Sequence, residues 1–279
     1  MNNFPMTNVG GIEISRMIVG TNWMLGYSHT SIAKDKFITS YQTKENITAI
    51  LETFLSYGIN AVMGMPVPLL SDAIRAAEDR TGRKMHLIAT PAFNIMKGGP
   101  SENEPERVLD YCQKIGATFC FPHQCVTDRL VDLMNNEIRN INRYSAMIRE
   151  RNMIPGLSTH MPETVVVADR SGADIETYIQ IYNAIGFLMH VEVDWVMRII
   201  KNARKPVMTI KPMAAGRLLP PVGLAFVWNT LRDIDMVTVG TATPDEAKEC
   251  IELSLDFLNK RIPQNELQKT RSKRVFDSK

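Results

Sequence analysis

Several things are scarce or missing in this sequence, and each absence removes a class of protein. The four cysteines, Cys112, Cys120, Cys125 and Cys250, form no C-x-x-C pair. That argues against a zinc knuckle or a redox dithiol and for reduced thiols in a cytoplasmic protein. No segment approaches 18 uninterrupted apolar residues, and Met1 to Pro5 supply neither a basic nor an apolar leader region, so neither a membrane span nor a secretory signal is expected. An excess of one charge is missing as well. The net charge is +2, which leaves no global pull toward nucleic acid or membrane and makes a small-molecule substrate the expected partner. The basic residues concentrate in 261–279, where Arg261, Lys269, Arg271, Lys273, Arg274 and Lys279 face only Glu266 and Asp277. A solvated tail is expected there. Finally, Gly20-Thr21-Asn22-Trp23 is not G-x-G-x-x-G, so the usual opening of a doubly wound dinucleotide-binding sheet is absent.

What is present is an alternation. Hydrophobic residues make up 44% and charged residues 22% of the 279, enough for one sizeable core. Residues 6–16 read as two short strands turning at Gly10-Gly11, a hairpin placed to cap one end (1–16). Buried strand candidates follow at 17–20, 60–63, 85–89, 117–122, 154–157, 177–182, 206–210 and 236–239. Between them lie helical patterns: Ile47, Ile50, Leu51, Phe54 and Leu55 share one face before Gly58, and further helices are expected over 70–79, 105–115, 128–134 with 137–151, 162–169, 193–203 and 222–231. The segment 21–43 reads as a long polar loop. Thr243-Pro244-Asp245-Glu246 is a capping box with proline at the first helical position. Eight strands alternating with helices force parallel pairing with crossovers. The expected architecture is an α/β single domain over 1–279, a (β/α)8 TIM barrel with a short N-terminal β-hairpin.

The opening, VGGIEISRMIVGTNWMLGYS, resembles the start of the aldo-keto reductases. So do GINAVMG at 58–64, HLIATPAFN at 86–94, FCFPHQ at 119–124, PGLSTH at 155–160, IYN at 181–183, IKPMAAGRL at 210–218 and VGTATPDEAKE at 239–249. The resemblance spans about 7–256 and keeps the order of the strands. It implies the same barrel and, for the family's reaction, NADP, a tyrosine acid, an aspartate and a lysine that tune it, and a histidine that orients the carbonyl. Transferred position by position, the aspartate falls on Met63, the tyrosine near Pro68, the lysine on Pro91, and the histidine on His123. The serine that holds the cofactor's amide is matched by Ser158, and its asparagine partner by Thr159. Three losses of four remove a proton donor and its support, a group worth about 10²–10⁴-fold.

In such a barrel the residues after each strand gather at one rim, where the chemistry is done. His123 and Lys211 are the catalytic candidates: an imidazole that orients or protonates a substrate oxygen, and an amine that, desolvated, becomes a base or a Schiff-base nucleophile. His123, His160, His190 and Glu192, with His29 as a further candidate, offer the imidazoles and carboxylate that a zinc, manganese or iron ion would take. Asn22, Trp23, Asn94, Ser158 and Asn183 lie at strand ends as substrate or cofactor contacts. Gly216, Arg217, Gly240 and Thr241 lie in the two loops where barrels hold phosphate. Trp23, Tyr27 and His29 belong to a candidate lid, and Met63, Met65, Met96 and Met213 to the mouth or the core. The leading expectation is a non-redox lyase, isomerase or hydrolase, with or without a metal, acting on a small oxygenated or phosphorylated substrate. The alternatives are a divergent NAD(P)-dependent reductase and a catalytically dead barrel kept as a binding protein.

Overall fold

The computed structural model describes residues 3–94, 105–263 and 272–273. Most of the basic tail and Met96 therefore lie outside the described residues. The hairpin is β1 (Met6–Val9) and β2 (Ile12–Ser15), paired antiparallel. Gly10 and Gly11 both take positive φ, at 57° and 85°, which a two-residue turn matching the strand twist requires. Val9 and Ile14 are buried inside the barrel and plug one end.

The barrel strands run β3 (Met17–Gly20), β4 (Ala61–Gly64), β5 (His86–Ala89) and β6 (Ala117–Cys120), then β9 (Ile154–Pro155) with β10 (Leu157–Ser158), β11 (Tyr178–Ile181), β12 (Val207–Ile210) and β13 (Met236–Gly240). All are parallel, in the order β10-β11-β12-β13-β3-β4-β5-β6-β9. β9 and β10 are the two halves of the expected fifth strand, separated by Gly156. The first half bonds β6 and the second bonds β11, so the ring nearly closes through one broken strand. The eight expected strands are all present.

Gly156 is the reason for the break. The ring of Phe121 lies where a side chain would stand, and an added Cβ would meet its Cε1 at 2.5 Å and Cδ1 at 2.6 Å. Phe121 in turn fills the barrel interior beside Phe119, Met208 and Met236. A Gly156→Ala variant should therefore be destabilised by ~1–3 kcal/mol, the usual cost of overpacking a core. Urea unfolding should read this as a lower midpoint at an unchanged slope.

Helices pack outside the ring, and their ends follow the expected chemistry. In Lys44–Ser56, Thr43 accepts the Asn46 N–H at the N-cap, and the predicted apolar face is buried. Thr243 accepts the Glu246 N–H to open Pro244–Leu258. Two expectations are corrected. The stretch 21–43 contains the helices Asn22–Leu25 and Ile32–Tyr41. Of the second, only Ile38 is buried, so no apolar stripe announced it. Ser31 opens it by accepting the Lys34 N–H. The helix expected over 128–134 is instead a ribbon, β7 (Val131–Asp132) against β8 (Glu137–Ile138). Asp132 accepts the Met134 and Asn135 N–H groups and Asn136 takes φ 53°, a turn that outcompetes the helix.

Among the described residues no helix is long and apolar enough to cross a membrane.

Candidate active site

At the C-terminal ends of the strands, opposite the hairpin, the barrel opens into a cavity of about 480 Å³. Its wall is built from strand ends and the loops after them. Ser158 ends β10, Gly240 ends β13, and Lys211 follows β12 directly. Thr21 ties two of these ends together by donating to the Met63 carbonyl at 2.9 Å. Met63, Met65 and Met213 line the mouth as apolar surface.

Lys211 stands in the wall of this cavity. Its backbone takes φ 61°, and Ala214, Ala215 and Gly216 follow at 50°, 55° and 86°. A non-glycine residue in the left-handed region costs free energy, and such strain gathers at functional sites. Lys211 is partly buried, and that burial pulls its pKa down to about 8. Its hydrogen-bond partner is an imidazole, the Nε2 of His29 at 3.3 Å. No aspartate or glutamate is among the described residues that line the cavity.

The hydrogen bonds assign the tautomers of two imidazoles. His29 Nδ1 lies 2.9 Å from the Tyr27 carbonyl. A carbonyl only accepts, so Nδ1 carries the hydrogen and Nε2 turns its lone pair to Lys211. His123 is the opposite case. Its Nδ1 accepts the Cys125 N–H at 3.4 Å and lies 2.9 Å from Cys125 Sγ, so the hydrogen resides on Nε2. His123 also caps the short helix Gln124–Thr127, which orients its ring without a carboxylate. Burial lowers the pKa of both, and the Lys211 charge lowers it further.

His160 joins them from the end of the fifth strand. Asp128 holds that corner: it accepts the Thr159 hydroxyl at 2.5 Å and the His160 N–H at 3.1 Å. Burial first, then the charges of Lys211 and the neighbouring histidines, push His160 down to about 3. The unfolded chain takes up a proton near pH 6.5 that folded His160 refuses. Stability should therefore fall as the pH drops from 6.5 toward 3. His160→Gln should flatten that slope when unfolding free energies are compared across pH.

The other expected contacts divide. Asn22, Trp23, Gly216 and His29 line the cavity together with Ser158, Gly240, His123, His160 and Lys211. Asn183 does not: it is fully buried, with its amide spent on the Phe187 backbone in both directions. Asn94 donates to the Tyr144 hydroxyl instead. Arg217 stacks on Phe187, 4.0 Å from its centroid, and donates to the Ala214 carbonyl. Thr241 is buried beside the cavity rather than in its wall.

The metal expectation is not met. His190 and Glu192 are exposed and outside the cavity. Among the described residues no three His, Cys, Asp or Glu side chains are placed to share an ion.

The phosphate expectation meets a different obstacle. At the N-terminus of Pro244–Leu258 the Ala242 N–H already donates to the Glu246 carboxylate at 2.7 Å, so the chain's own anion takes that place. Sequence reasoning missed Cys125, which lines the cavity against His123. Its only signal was its position two residues after the histidine.

No family model matches the chain, and no curated protein matches it. Solved structures do. A putative aldo-keto reductase from Pseudomonas aeruginosa is 14% identical, with a TM-score of 0.65 over 92% of this chain and 98% of its own. The glycerol dehydrogenase of Gluconobacter oxydans is 13% identical, with a TM-score of 0.56 over 95% and 98%. An aldo/keto reductase from Brucella melitensis is 12% identical, with a TM-score of 0.59 over 93% and 94%. At these identities the likeness is one of fold alone: the chain folds as a barrel like those of the aldo-keto reductases.

Proposed function

We propose that this barrel is a non-redox enzyme, a lyase or isomerase, that forms a Schiff base between Lys211 and the carbonyl of a small oxygenated substrate. The observation that carries the reading is the state of the amine. An ammonium with a carboxylate partner keeps its proton, whereas Lys211 is partly desolvated, bonded to an imidazole lone pair, and has its pKa drawn down to about 8. Those are the conditions under which a lysine becomes a nucleophile. His29 Nε2 is the acceptor for the proton the amine must shed. His123 Nε2–H is a donor for an oxygen beside the reacting carbon, as an imidazole kept neutral by burial can be. The iminium so formed draws electrons from the neighbouring carbon and eases the breaking of a C–C or C–H bond there. The test is reduction with borohydride in the presence of small aldehydes and ketones, followed by peptide mass analysis. A stable adduct on Lys211 supports the reading; its absence with every carbonyl tried removes it.

The fold neighbours favour a second reading at least as much, a NAD(P)-dependent reductase. The residues present fit a dinucleotide poorly. Asn183 is spent on Phe187 and Thr159 on Asp128. The Trp23 ring stands close against Gly240, at 3.5 Å from where a Cβ would be, beside a helix N-terminus that Glu246 occupies. Titration with NADPH decides between them. Quenching of Trp23 fluorescence at micromolar NADPH would install the reductase. A barrel that neither traps a carbonyl nor binds NADPH would be the binding protein.

A further inference from the structure

The Schiff-base reading leaves the substrate undefined, and the charge balance of the cavity narrows it. Lys211, His29, His123 and His160 all line the cavity, without a carboxylate among the described lining residues. Two acids beside the cavity's histidines are committed to other partners. Asp35 accepts the Ser28 N–H at 2.8 Å and the Ser28 hydroxyl at 2.6 Å. Asp128 is occupied by Thr159 and the His160 backbone. A partly buried ammonium costs free energy without a counter-charge, and the described residues lining the cavity supply none. The Lys211 charge also reaches all three imidazoles, lowering the pKa of each, so the four groups face one small volume.

Resting on the proposed Schiff-base chemistry, we infer that the substrate is itself the missing anion, a small 2-oxo acid. Its carbonyl meets Lys211 and its carboxylate accepts from His123 Nε2–H. A carboxylate on the carbon next to the carbonyl suits this arrangement, because the groups that would bind the two line the same mouth. Ser158, buried and lining the cavity, offers a second donor. His29 is turned the wrong way to bind a carboxylate, since its Nε2 presents a lone pair. It serves the amine instead.

The covalent step balances without a further reactant. Lys211 enters as the ammonium, passes one proton to His29 Nε2 to free its lone pair, and its Nζ ends with a double bond to the carbonyl carbon. Both C–O bonds break, the oxygen leaves as water with two of the three hydrogens first bound to nitrogen, the one on His29 among them, and the third stays on the iminium. The positive charge is conserved and comes to lie beside the substrate carboxylate.

The experiment compares matched carbonyls. Pyruvate and 2-oxobutanoate, and their neutral counterparts methyl pyruvate and butanedione, are each incubated with the full chain and borohydride over a concentration series, and half-labelling of Lys211 is read by mass. One charge-assisted hydrogen bond is worth roughly 10–100-fold in affinity, so the acids should label at concentrations lower by about that factor. His123→Gln should shrink the preference while still permitting labelling. Equal labelling by acids and neutral compounds would overturn the 2-oxo acid assignment and leave the Schiff base standing. Labelling by none would overturn both. A preference that persists unchanged in both His123→Gln and Ser158→Ala would overturn the assigned carboxylate contacts.

Discussion

Replacing Lys211 by methionine should abolish borohydride trapping of carbonyl compounds altogether. Turnover of any substrate that traps on the parent protein should fall by roughly 10³-fold or more, as happens when a covalent nucleophile is lost. Lys211→Arg should fail equally, because a guanidinium keeps the charge but not a nucleophilic lone pair.

The pH dependence makes the same point in the parent protein. With a pKa of about 8, the free amine fraction rises about tenfold per pH unit through the range below 8 and then levels. The initial trapping rate should follow that curve, whereas an ordinary surface lysine would keep climbing to about 10.5. Stability should move in the opposite direction from activity. Lys211 is a partly buried cation with no carboxylate partner among the described residues, so methionine should leave the unfolding midpoint unchanged or raise it. A lysine kept for packing or pairing would lower it when replaced. The sign of the stability change therefore separates a reactive group from a scaffold group without any substrate in hand.

The barrel was legible in the sequence because burial on both faces writes itself as short apolar runs, and the runs ending at Gly20, Leu157 and Ile210 each led to a rim residue. The caps at Thr43 and Thr243 were legible for a similar reason: one hydroxyl and one backbone N–H three residues later decide them. The ribbon at 131–138 was not, because Asp132 and Asn136 act through a turn whose competitor, a helix, fits the same polar pattern. The site was half legible. His123, His160 and Lys211 follow strand ends directly, so the closure of the ring brings them together. His190 also follows a strand, yet the loop Asn183–Met189 carries it outward: Asn183 folds back on Phe187, and Leu188 takes φ 57°. A loop's direction depends on its own turns and cannot be read from where its strand ends. The same limit hid the pairing of His29 with Lys211, 182 positions apart in the chain.

The second large effect lies at the far end of the barrel. Asp235 is fully buried and joins two strands before they start. It accepts the Val207 N–H at 2.9 Å, at the first residue of β12. It also accepts three donors from Arg232: its N–H at 3.0 Å, Nε at 2.9 Å and Nη2 at 2.7 Å. Arg232 reaches onward to the Ala203 and Lys205 carbonyls, and Arg16 closes the ring by donating to the Asp235 and Arg232 carbonyls. Asp235→Ala removes the buried anion from this cluster and leaves only the exposed Asp233, 3.6 Å from Arg16. It leaves a largely buried guanidinium uncompensated and the Val207 N–H without its acceptor, a combination that costs ~3–5 kcal/mol. The urea midpoint should fall accordingly. Asp235→Asn should cost less, because an amide oxygen still accepts from Val207 while only the charge is lost. At low denaturant, where either variant is still folded, trapping at Lys211 per folded molecule should equal that of the parent, because this cluster holds the strand starts and the cavity lies at their ends. A fall in trapping that exceeds the fall in folded fraction would mean that the two ends of the barrel are coupled.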